Sequence, residues 1–223
     1  MYYFYLIGCI ILLVIWFFIF LILKKEYKKE MIVSSLIISI GGFLQIFFVP
    51  VYWNPEVLFS FLGFDIESFI FSFSTGGIAS SLYQLFFKGK YKFYIEKNYK
   101  KYFINRIIIF VPIALIFISI FIPINFMYSI FIIMTIQIVL VSIVRKDLIK
   151  DMIFGTISFM IFYNLFCLFF FNIFSGFLNE WSIFNLSGII LLNVPIEETI
   201  WAGYFGTFAS IIYKYIFWLK RIN

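Results

Sequence analysis

A chain of 223 residues that is 64% hydrophobic and 25% aromatic, with only 13% charged residues and a formal charge of +6, has too little polar surface for a water-soluble domain. With no histidine and two isolated cysteines, it excludes His-based triads, His-ligated metals and a disulfide framework. No GxGxxG or GxxxxGK[ST] loop is present, so a nucleotide cradle of either kind is excluded too.

Seven apolar windows are long enough to cross about 30 Å of hydrocarbon as helices. In chain order they run from Tyr2 to Leu23, Met31 to Trp53, Ile66 to Phe87, Ile107 to Pro123, Phe126 to Val144, Met152 to Ser175 and Glu197 to Phe217. The first lacks a basic leader and a small-residue cleavage site and runs into Lys24 and Lys25, so it reads as an uncleaved span. Cys9 and Cys167 fall inside spans, where they read as small buried apolar residues.

If the connections alternate sides, one side receives all 17 Lys and Arg of the chain and the other none. The positive-inside rule then makes this a multi-pass plasma-membrane protein with its N-terminus outside and its C-terminus in the cytoplasm. The charge reports topology and contact with anionic lipid heads, and nucleic acid is not an expected partner. The loop "KGKYKFYIEKNYKKYFINR" interleaves aromatics with Lys as interface anchors do.

The third and seventh spans repeat one another. At a shift of 130 positions, "FDIESFIFSFSTGGIASSLYQLFF" lies on "VPIEETIWAGYFGTFASIIYKYIF" without a gap, pairing Glu67 with Glu197, Gly76 with Gly206, Ser80 with Ser210 and Tyr83 with Tyr213. Apolar bias does not generate a shared Glu, Gly, Ser and Tyr in register. Both segments cross in the same direction. The expected architecture is therefore all-α: one transmembrane domain over residues 1–223, with parallel three-helix repeats near 1–90 and 126–220 and a linking helix over 107–123, a 3+1+3 plan. Each copy has an interfacial Trp upstream, Trp53 fourteen residues before Glu67 and Trp181 sixteen before Glu197, followed by a stretch too short to span. These stretches are expected to fold over the outer mouth as short helices or re-entrant turns. Gly76, Ala79, Ser80 and Tyr83, like Gly206, Ala209, Ser210 and Tyr213, share one helix face that permits close packing.

Four acids, Asp65, Glu67, Glu197 and Glu198, are expected at one level on the side that has no Lys or Arg. Their plain structural reading is helix initiation: Pro195 in the first turn, Asn193 or Asp65 as caps, and Glu197 and Glu198 complementing the dipole. Against it stands the cost of a carboxylate at the edge of hydrocarbon. Like charges crowded in a desolvated pocket favour a state in which one carboxyl keeps its proton, and such a pair is equipped to donate a proton and remove another.

"PIEE" opening the last span, followed by "IW" and a Gly-containing apolar helix, with the degenerate copy "DIESFIFSF" and the Trp-containing lead-ins, resembles the integral-membrane lycopene cyclase domain of bacteria, archaea and fungal fusion enzymes. The resemblance implies a cofactor-free, redox-neutral isomerase of a prokaryotic plasma membrane that protonates the terminal double bond of a linear carotene, closes a six-membered ring and removes a proton. It implies Glu197 and Glu198 as donor and acceptor in unassigned order, Glu67 and Asp65 tuning them, and Trp201, Trp53, Trp181 and Asn193 lining the substrate. The first copy has Asp65 for Pro195 and Ser68 for Glu198, so one full motif is present and a second subunit, identical or different, is left open. A competing reading is a small transporter or a lipid-binding membrane protein without catalysis, with Pro50, Pro112, Gln45, Gln137 and Asn164 along a path.

Overall fold

The computed structural model describes residues 3–49, 51–86, 90–93 and 125–222, together with positions 108, 111, 112, 114–116 and 118. Pro50 and most of the basic loop before residue 108 lie outside the described residues, as does much of the expected linking helix; its described positions are helical. The chain is mostly helical. Helices α1 (Phe4–Ile22), α2 (Lys25–Ser39), α3 (Gln45–Phe48), α4 (Ile66–Phe86), α5 (Phe126–Val144), α6 (Ile149–Ile173) and α7 (Ile196–Ile216) carry the fold.

Among the described residues, four segments are long and apolar enough to cross a membrane: Phe4–Ile22, Lys25–Phe48, Phe126–Val144 and Lys146–Ile173. Their ends follow local chemistry. Leu23 and Lys24 are extended, which ends α1 and turns the chain into α2. That helix begins six residues before the expected Met31, because Lys and Glu are good helix formers whose long stems lie along apolar surface. Asn125 caps α5 by accepting the Met127 N–H at 2.9 Å. Helices α4 and α7 are too polar to count among the four by hydropathy, and their place explains it. Both are central, and most of their Ser, Thr and Gly positions from Ser74 to Gln84 and from Ala202 to Tyr215 face other helices rather than lipid.

The small-residue faces pack as expected. A Cβ added to Gly76 would lie 2.8 Å from Ile38 Cβ on α2, and one added to Gly206 would lie 2.7 Å from Phe159 Cβ on α6. The Ser210 hydroxyl donates to the Asp151 carbonyl across the α6–α7 contact at 3.1 Å. Substituting Gly206 by Ala is therefore expected to force the two helices apart, at about 1–3 kcal/mol. At Gly203 a Cβ would meet Thr156 at an ordinary 3.5 Å, so Gly203→Ala is expected to leave the thermal midpoint nearly unchanged in detergent. Scanning fluorimetry of the two variants side by side checks the contrast.

Before each central helix stands a two-residue hairpin. Strand β1 (Ser60–Phe61) pairs with β2 (Phe64–Asp65), and β4 (Ile190–Leu191) pairs with β5 (Val194–Pro195). The turn residues Leu62 and Gly63 have φ of 52° and 80°, and Leu192 and Asn193 have 52° and 62°. Such turns suit Asn and Gly; left-handed backbone costs a residue with a Cβ roughly 1–2 kcal/mol. At the opposite end β3 (Lys90–Phe93) pairs with β6 (Leu219–Ile222), setting Tyr91 across from Arg221.

Two cations assigned to the basic loops by counting are buried instead. Arg145 is gripped by Asp147, donates to the Leu219 carbonyl at 2.7 Å, and its guanidinium lies 4.5 Å from the Trp218 ring centre. Lys214, in the last turn of α7, is fully enclosed between Asp151 and Glu30. Loop counting from sequence cannot separate these from exposed Lys and Arg, because a helix end and a loop look alike in charge.

Candidate active site

The two Trp lead-ins meet. Trp53 and Trp181 form an antiparallel bridge, with the Asn54 N–H donating to the Glu180 carbonyl at 2.7 Å and the Ser182 N–H to the Tyr52 carbonyl at 2.9 Å; their rings lie 5.5 Å apart. This places Tyr52, from the first half of the chain, directly over the start of α7.

Glu198 sits there, buried, as the third residue of α7. Its Oε1 accepts from the Tyr52 hydroxyl and from Trp181 Nε1 at 2.9 Å, and its Oε2 accepts from the Tyr163 hydroxyl of α6 at 3.0 Å. The three donors favour the charged carboxylate and offset part of the cost of burying it. Burial and the Glu198 charge push the Tyr52 phenol well above its ordinary value.

Glu197 and Glu67 do matching jobs. Glu197 Oε1 accepts the Ser187 N–H at 2.8 Å and the Tyr128 hydroxyl at 3.0 Å; Glu67 Oε1 accepts the Leu58 N–H at 2.8 Å. Each therefore ties its hairpin lead-in to its central helix. Each also keeps a second buried oxygen, Oε2, with no hydrogen-bond partner among the described residues. Ser68, the counterpart of Glu198, shares a 3.0 Å hydrogen bond with the Tyr5 hydroxyl of α1.

Asp65 caps α4, accepting the Ser68 N–H at 2.6 Å, and burial raises its carboxyl above the usual range. Asn193 does not cap α7: it occupies the hairpin turn, exposed, while Pro195 holds the cap position without a side-chain bond. The left-handed turn takes Asn for its backbone, which removes its amide from the helix end.

Among the described residues, no hydrogen bond or ion pair joins Asp65 and Glu67 to Glu197 and Glu198. Aromatic rings from both halves of the chain pack together beside them. Tyr5 stands edge-on to Trp53 at 4.5 Å, Phe71 lies 5.9 Å from Trp201, and Trp201 stacks on Phe205 at 4.7 Å and lies 5.3 Å from Tyr163. Trp53 is held by Gln45, to whose side chain it donates at 3.4 Å, and Asn164 accepts from Thr199 at 2.6 Å across the α6–α7 contact.

Residues 125–216 match the lycopene cyclase family model. The matched segment contains Trp181, Asn193, Glu197, Glu198 and Trp201 as well as the two tyrosines Tyr128 and Tyr163. Tyr52, Trp53, Asp65 and Glu67 lie before it. No curated protein and no solved structure matches the chain. Tyr52, Tyr128 and Tyr163 were not among the expected site residues; only Tyr52, next to Trp53 in the duplicated lead-in, had a positional signal, since the other two lie at ordinary helix positions among 15 tyrosines.

Glu180 stands just outside this cluster. Burial, reinforced by the charge of Glu56, pushes its carboxyl up to about 8. An acid whose folded pKa exceeds its unfolded value stabilises the fold fully below the unfolded value, near 4.3, and loses that contribution as pH rises through the folded one. The thermal midpoint in detergent is thus expected to fall between about pH 5 and 8, and Glu180→Gln is expected to flatten that slope.

Proposed function

We propose that the lycopene cyclase domain and the first half of the chain together form a proton-driven isomerase that closes the end of a linear carotenoid into a ring. The carrying observation is Glu198: a buried carboxylate held by Tyr52, Tyr163 and Trp181, with donors from both halves, in a wall of aromatic rings. The family match over residues 125–216 supports the substrate class.

On this reading one of the adjacent pair Glu197 and Glu198 is the donor of a proton. It passes to the terminal double bond, a neighbouring double bond attacks the resulting cation, and a ring C–C bond forms. The ring cation faces Trp201, Trp53 and Trp181, whose π-faces attract positive charge within about 6 Å. The other member of the pair, as a carboxylate, takes the proton lost from the ring and restores a double bond. One proton enters and one leaves, so no redox partner is needed. Successive residues on a helix point about 100° apart, which sets Glu197 and Glu198 on adjoining flanks of one substrate end. Asp65 and Glu67 serve the scaffold: one caps α4 and the other seats its hairpin.

The same reading makes the chain a multi-pass membrane protein in two parallel repeats, with the lysine-poor end outside. Three pairings support the duplication: the hairpins recur at a shift of 130, Trp53 bridges Trp181, and Tyr91 faces Arg221, its counterpart at that shift. The test is expression in cells that accumulate lycopene, with pigments separated by chromatography. Conversion to a cyclic carotene supports the enzyme. Unchanged lycopene with the protein verified in the membrane removes it, and lycopene co-purifying unchanged would favour a carrier.

A further inference from the structure

We infer that the two hairpin tips are seated in the hydrocarbon of the leaflet at the lysine-poor end, as a pair of monotopic membrane anchors. Leu62 and Leu192 hold matching turn positions at a shift of 130, each with φ of 52°, where Asn or Gly would sit without conformational cost. Their side chains are 77% and 70% exposed, so no protein contact compensates for the choice of leucine. Phe61 and Leu191, one residue earlier in each hairpin, are exposed as well. An unfavourable backbone state combined with an exposed apolar side chain, found twice in register, is explained when the medium around the tip is itself apolar.

The charges agree with lipid tails rather than headgroups as the occupant. No Lys or Arg occurs anywhere from residue 30 to 87 or from 151 to 213, the stretches that contain both hairpins, so nothing there attracts anionic phosphate. The apolar rim continues onto Ile66 and Ile189, also exposed, and through them onto the lipid-facing surface of the bundle. Because Glu67 and Glu197 bind Leu58 and Ser187 of the same lead-ins, anchored tips would hold both carboxylates beneath a lipid-wet lid.

Nitroxide scanning of the full chain in proteoliposomes tests this. With Cys9 and Cys167 replaced by Ala, a label is placed at Leu62→Cys or Leu192→Cys, and at Lys146→Cys as an exposed control at the basic end. Collision with oxygen is expected to exceed collision with a water-soluble nickel chelate several-fold at both tips and to fall below it at the control. Nickel access at the tips equal to that of the control overturns the inference. So does exclusion of both relaxers with a short label-to-label distance between copies, which would assign the tips to a dimer contact. Should a Leu variant fail to fold, Phe61→Cys and Leu191→Cys give the same reading from the preceding residue.

Discussion

Glu198→Gln is expected to leave lycopene unconverted, with product falling about 10²–10⁴-fold, the range lost with a general acid or base. Glutamine keeps the shape of the side chain, so the protein should still reach the membrane. It cannot keep the electrostatics. Its amide nitrogen can only donate, so at least one of the Tyr52, Tyr163 and Trp181 donors loses its acceptor, and the negative charge opposite the ring cation is gone. Glu67→Gln is the control. Its Oε1 can go on accepting from Leu58, so activity should change by no more than a few-fold. Pigment analysis of the two variants, normalised to membrane-inserted protein, decides between them; equal loss in both would reduce Glu198 to a scaffold residue.

Lys214→Met is expected to be the most destabilising single change in the described bundle. The ammonium donates to the Ser210 carbonyl at 2.9 Å and lies 3.3 Å from Asp151 and 3.6 Å from Glu30, while Gln84 donates to the other Glu30 oxygen at 2.8 Å. Helices α2, α4, α6 and α7 all meet at this point. Removing the Lys214 ammonium takes a cation from between two enclosed carboxylates, a loss of about 3–5 kcal/mol for a buried ion pair broken on one side. The triple variant with Glu30→Gln and Asp151→Asn should recover most of the loss, since the polar contacts survive without charge. Thermal unfolding in detergent reads both. A triple variant no better than Lys214→Met would mean that packing around the lysine stem, rather than charge, holds the four helices together.

Much of the scaffold was legible because the chain states it twice. The shared Glu, Gly, Ser and Tyr located α4 and α7 to within a residue, and the small-residue faces did pack where their spacing placed them. The Asp65 cap was also readable, since an acid three residues before Ser68 has one ordinary use at a helix start. The partners of Glu198 were not. Hydrogen bonds from Tyr52 and Tyr163 join positions 146 and 35 residues apart, and nothing local in a chain with 15 tyrosines marks two of them. Asp65 and Glu67 accept from backbone N–H groups close to them in sequence, whereas Glu197 and Glu198 also draw hydroxyls from distant elements. The burial of Lys214 was hidden for a different reason: its carboxylate partners come from helices whose facing could be known only once the bundle was assembled.

The exchange of Glu198 for Ser68 breaks an otherwise even-handed design. A hydroxyl shared with Tyr5 can neither carry the charge of a carboxylate nor take up its proton, so on the proposed function the molecule has a single working seat. On that reading a polyene with two reactive termini is served one terminus per visit: it has to leave, reverse and enter again. Singly closed material accumulates first under such a regime, and the ratio of one-ringed to two-ringed product is set by how fast the half-finished molecule escapes into the bilayer.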